Sequence, residues 1–81
     1  MHPVYSEFRI RVSHRVKEIR TQKGITQEQM EEGPNGVPYK TVQTVENEQR
    51  EVYLSTLYRI AKRLDIDIRE LFDFKDKPAK K

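Results

Sequence analysis

At 81 residues the chain holds one domain at most, and a core this small needs every apolar helix position. With no cysteine it has neither a disulfide framework nor a thiolate metal site, and no apolar run approaches membrane-spanning length. Charged residues are 36% of the sequence and the formal net charge is +3, a balance that fits nucleic acid but is too small to prove it.

The first periodic segment runs from about Ser6, a suitable N-cap, to Lys23. Phe8, Val12, Val16 and Ile19 recur on one helical face, while Arg9, Arg11, Arg15 and Lys17 fall elsewhere on the wheel and read mainly as a solvated face. Gly24 ends the helix, because glycine takes the left-handed cap conformation without a Cβ clash. Thr26 opens a short second helix. Thr26 and Gln29 form a capping box, and Ile25 and Met30 stand where a hydrophobic staple belongs. Gly33-Pro34-Asn35-Gly36 stops it.

Pro38 fits the first turn of a third helix, whose inward positions are Val42 and Val45 and whose outer edge carries Tyr39, Lys40, Gln43 and Thr44. Asn47 to Val52 reads as polar loop. A fourth helix, about Tyr53 to Leu64, has the stripe Leu57, Ile60, Ala61 and Leu64. Asp67 caps a last short helix that brings in Ile68, Leu71 and Phe72. The expected architecture is all-α with five helices, a domain over 1–74 and a basic, mobile tail over 75–81.

Charge is distributed unevenly. Residues 1–25 carry net +4, residues 26–51 net −4 and residues 52–81 net +3. The centre has the wrong sign for DNA: Glu28, Glu31 and Glu32 repel phosphate unless they face away. His2 and His14 are the only histidines and make no metal site without further ligands. No nucleophile–base arrangement stands out. Gly33 through Thr41 lacks the second glycine before its lysine and any preceding strand, so it is no phosphate loop. Nothing calls for catalysis, a metal or a cofactor. The amino terminus has no apolar stretch resembling a signal peptide, and the expected location is the cytoplasm.

Four pieces stand in order: Arg15-Val16-Lys17-Glu18-Ile19-Arg20, Gly24-Ile25-Thr26-Gln27-Glu28-Gln29-Met30, Val42-Gln43-Thr44-Val45-Glu46-Asn47, and Leu57 to Leu64 continuing to Leu71-Phe72. Together, over residues 12 to 72, they resemble the helix-turn-helix of phage repressors and Cro proteins, the Xre family, and imply a lambda-repressor-like DNA-binding domain. Three departures stand out. Glu31 occupies a position where the family usually has alanine, the turn Gly33 to Val37 is one residue longer than usual, and Glu48 replaces a family glycine.

The resemblance implies that the helix starting near Pro38 lies in the major groove, where base edges present distinct donor and acceptor patterns. Tyr39, Lys40, Thr41, Gln43 and Thr44 then become candidate base readers, and Gln27 and Asn47 candidate phosphate contacts. It also implies a structural ion pair between Arg20 and Glu46. The expected function is a sequence-specific regulator of transcription, a repressor or controller, binding double-stranded DNA as a homodimer on a two-fold operator. Tyr53, Tyr58, Leu71, Phe72 and Phe74 carry more apolar surface than one small core needs, and the later ones are candidates for a subunit contact. Two rivals remain. One is a module that binds a protein partner, antitoxin-like or an antagonist of another regulator, favoured by the acidic centre. The other is a non-specific nucleic-acid binder acting through the lysine tail.

Overall fold

A computed structural model describes residues 3–47 and 52–74, with side chains from residue 7 onward. The described residues form three α-helices and two 3-10 helices with no strand: α1 (Pro3–Gln22), η1 (Glu28–Glu31), α2 (Tyr39–Glu46), α3 (Leu54–Leu64) and η2 (Ile68–Phe72). The expected all-helical class and the order of five segments hold. The second and fifth, however, are single turns of 3-10 helix and not α-helices. The stretch 75–81, expected as a tail, lies outside the described residues.

α1 begins at Pro3, three residues before the expected Ser6; proline at a first helical position has its φ already set. The helix closes as its sequence requires. Gly24 has φ +72°, its N–H donates to the Thr21 carbonyl at 3.0 Å, and the Ile25 N–H donates to the Arg20 carbonyl at 3.1 Å. That is a Schellman closure, which needs the left-handed residue that glycine supplies without strain. α3 closes by the same pattern, with Ile66 donating to Ala61 and Asp65 to Lys62, but Asp65 takes the left-handed position at φ +60°.

η1 starts with the expected capping box. The Thr26 N–H donates to Gln29 Oε1 at 2.8 Å, and the Gln29 N–H donates to Thr26 Oγ1 at 3.0 Å. The helix does not lengthen into an α-helix because its ends are too close. The Met30 N–H is shared between the carbonyls of Thr26 and Gln27, each at 3.2 Å, and the Gly33-Pro34 break follows at once. In η2, the Asp67 carboxylate accepts the Arg69 N–H at 2.9 Å. The Arg69 guanidinium, hydrogen-bonded to the same carboxylate, holds Asp67 below the usual aspartate range.

The core gathers Val12, Val16 and Ile19 from α1, Met30 from η1, Val37 from the turn, Val42 and Val45 from α2, Leu57, Ile60, Ala61 and Leu64 from α3, and Leu71 from η2. α1 lies against α2, α3 and η2. Phe8, expected on the buried face, is instead 43% exposed. Its ring stacks on Phe72 at 6.0 Å and meets Phe74 edge-on at 5.7 Å, closing one end of the core with an aromatic group. Phe72 and Phe74 thus have a packing role within one chain, in addition to any role between chains.

Two arginines serve as struts. Arg15, expected on a solvated face, is buried. Its Nε donates to the Glu70 carbonyl at 2.8 Å and its Nη1 to Glu18 at 2.9 Å, joining α1 to η2. Arg63 of α3 donates to the carbonyls of Gln29 and Met30, which end η1, at 2.7 and 3.2 Å. Ser13, by contrast, is fully buried on α1 with its hydroxyl lacking a partner among the described residues. A buried hydroxyl without a hydrogen bond is destabilising. Ser13→Ala is therefore expected to raise stability by about 1 kcal/mol, seen as a higher urea midpoint with unchanged slope.

Candidate nucleic-acid interface

α2 has two unlike faces because its apolar positions are only Val42 and Val45. Both are buried, together with Glu46, and this seats the helix. The opposite edge carries Lys40, which is exposed, and Tyr39, Thr41, Gln43 and Thr44, which are half-buried. All five candidate base readers therefore lie on one eight-residue helix, with Asn47 exposed just past its end. Gln43 is already positioned: its Nε2 donates to the Tyr39 hydroxyl at 2.9 Å, one helical turn away. A preset pair loses less side-chain freedom on engaging a base edge than two free side chains would.

The far end of α2 is anchored to α1. Arg20 Nε donates to Glu46 Oε2 at 2.7 Å and Arg20 Nη2 to Oε1 at 3.0 Å, a two-point pair with both residues 7% exposed. Arg20 Nη1 also donates to the Ile25 carbonyl at 2.7 Å, in the link to η1. Gln27 joins this network, its Nε2 donating to Glu46 Oε1 at 2.9 Å. One amide proton of Gln27 is thus committed to a structural contact, which the phosphate assignment did not foresee. The helix that should cross the backbone and the helix that should read bases are locked to one carboxylate.

The near end of α2 is held by another. Pro38 is the N-cap and its side chain makes no cap hydrogen bond, yet the Tyr39 N–H donates to Glu31 Oε2 at 2.6 Å. Glu31, counted from the sequence among the repelling glutamates, serves as a cap delivered from η1. Glu28 and Glu32 are exposed; Glu48 and Glu51 lie outside the described residues.

α2 and the start of α3 enclose a hollow of about 270 Å³, lined by Lys40, Thr41, Thr44 and Val45 on one side and Val52, Tyr53 and Thr56 on the other. It sets an ammonium and several hydroxyls around one opening beside the polar edge of α2. Tyr53, 74% exposed, and Thr56 were not singled out for DNA from the sequence, where Tyr53 reads only as surplus apolar surface. Their place next to Lys40 depends on where the fold sets the start of α3 beside α2, which no local pattern encodes.

Among the described residues no group of His, Asp or Glu side chains is set to hold a metal ion, and no helix is long and apolar enough to cross a membrane. The model of the helix-turn-helix family matches residues 16–71. Among solved structures, the chain is similar to the restriction-modification controller protein C.AhdI from Aeromonas hydrophila, with 38% identity over 79% of this chain and 96% of that one and a TM-score of 0.68. A search of curated proteins gives no match.

Proposed function

Since the chain belongs to the helix-turn-helix family, in its Xre-like form, we propose that it is a transcriptional regulator that reads double-stranded DNA by placing α2 in the major groove. The observation that carries this reading is the division of α2 into a buried valine face and a continuous polar edge running from Tyr39 to Thr44. Lys40 suits guanine O6 and N7, and Gln43 suits adenine. The hollow between α2 and the start of α3 borders that edge, and its Tyr53 and Thr56 suit phosphate oxygens; Gln27, the N-cap of η1, is a phosphate candidate through the amide proton not bonded to Glu46. Asn47, past the end of α2, is a further phosphate candidate.

The likeness to a restriction-modification controller favours a controller role. A homodimer on a two-fold operator supplies the affinity that one small subunit lacks when residues 26–51 hold only Lys40 and Arg50 against six glutamates. Apolar side chains exposed on α3, Leu54 at 66% and Tyr58 at 54%, give a second copy surface to cover. The assignment is to a regulator and not to an enzyme.

Selection from a random duplex library tests the proposal. Wild-type protein is expected to enrich a two-fold-symmetric motif with a steep salt dependence. The Lys40→Ala, Gln43→Ala double variant is expected to keep its fold and bind that motif at least about tenfold more weakly, since one good bidentate base contact is worth about 1–3 kcal/mol. Folded wild-type protein that enriches nothing at low salt would assign the fold to binding a protein partner instead.

A further inference from the structure

The first turn of the reading helix is held from outside. A helix leaves its first amides without intrahelical partners, and a side chain at the N-cap normally accepts from them. Pro38 occupies that position, and its side chain has no acceptor to offer. Glu31 fills the gap from another element, its Oε2 lying 2.6 Å from the Tyr39 nitrogen. Its own backbone is fixed in turn. The Val37 N–H closes on the Met30 carbonyl at 2.8 Å, and Gly36 passes so near the Glu31 carbonyl that a Cβ there would collide with it. The five-residue turn thus brings the amide of α2 to the carboxylate.

The position has an electrostatic consequence. The N-terminal end of α2 carries partial positive charge and would by itself attract phosphate. A carboxylate within hydrogen-bond distance already occupies that end. We propose that Glu31 is a positioning residue of the DNA-reading edge, fixing the first turn of α2 and opposing phosphate docking there, so that base contacts decide which duplex binds. This rests on the DNA-reading proposal above and adds to it the element that suppresses indiscriminate binding.

Three variants test it: Glu31→Ala, Glu31→Gln, and Glu31→Ala combined with Pro38→Asp. Arg59, which lines the same shallow hollow as Glu31 and Pro38, is unchanged in all three. Melting is followed without DNA. Affinity is measured over a salt series for the enriched duplex and for an unrelated one. Glu31→Ala is expected to lower the Tm by about 4–8 °C, the effect of losing one cap in a domain this size, and to weaken binding of the enriched duplex without weakening that of the unrelated one. Adding Pro38→Asp restores an N-cap acceptor and is expected to recover most of the Tm.

Glu31→Gln keeps an acceptor and removes the charge. It is expected to lose less than half as much Tm as Glu31→Ala and to bind the unrelated duplex roughly threefold more tightly at low salt, an advantage that fades as salt rises. The ratio of enriched to unrelated affinity falls. A Glu31→Ala protein that melts like wild type overturns the cap, and unchanged unrelated-duplex affinity in Glu31→Gln overturns the charge role. If wild-type protein enriches no duplex, DNA reading fails and takes the charge role with it, but the melting comparison still decides the cap. The two failures are therefore told apart.

Discussion

Arg20→Met is expected to cost about 3–5 kcal/mol, because it leaves the Glu46 carboxylate buried without its cation. The side chains of Arg20 and Glu46 are 9% and 2% exposed, so water cannot replace the lost partner. Among the described residues the carboxylate keeps only Gln27 as a side-chain donor. A domain of this size has about 5–15 kcal/mol of total stability, so the variant should sit near its unfolding transition at physiological temperature. DNA binding is then lost through loss of fold.

Replacing both residues, Arg20→Met with Glu46→Leu, is expected to recover much of the loss, since an apolar pair of similar volume avoids the stranded charge. Urea unfolding of wild type, both single variants and the double variant closes the cycle. A single variant losing under about 1 kcal/mol, the worth of an exposed ion pair, would show that the pair is not buried in solution.

How far this arrangement could be read in advance depended on distance along the chain. The Thr26–Gln29 box, the Gly24 closure and the inward valines of α2 follow from residues within one turn of each other, and the structure has all of them. The Arg20–Glu46 pair spans 26 residues and followed only from family resemblance. What no pattern gave were the bonds from side chains to distant backbone. Arg15 reaches Glu70, Arg63 reaches Gln29 and Met30, and Glu31 reaches Tyr39. An arginine beside an apolar stripe looks the same in sequence whether it meets water or a carbonyl; only the packed position of that carbonyl decides.

Helix type is not encoded in the caps either. Capping and stop signals mark where η1 begins and ends, but so short a segment can close as α or 3-10, and the Met30 N–H, shared between the Thr26 and Gln27 carbonyls, lies between the two. Of the acidic centre, Glu46 has the Arg20 partner that the resemblance implies, whereas Glu31, which by its charge alone repels phosphate, is engaged by the Tyr39 amide, so both carboxylates hold α2 in place.

Met30→Ala tests whether that placement depends on η1. Met30 is fully buried, and its carbonyl accepts from both the Val37 N–H and Arg63 Nε. Its side chain therefore fills the core at the point where its backbone ties the turn to α3. Truncation is expected to cost about 2–5 kcal/mol, whereas Met30→Leu, close in volume, should cost less than about 1.5 kcal/mol. The informative comparison is at low temperature, where both variants remain folded by circular dichroism. If η1 sets the angle of α2, Met30→Ala should there bind the enriched duplex more weakly than its folded fraction accounts for, although residue 30 cannot reach DNA. Affinity that tracks the folded fraction alone would mean that the Arg20–Glu46 anchor is sufficient to orient α2 and that η1 contributes stability only.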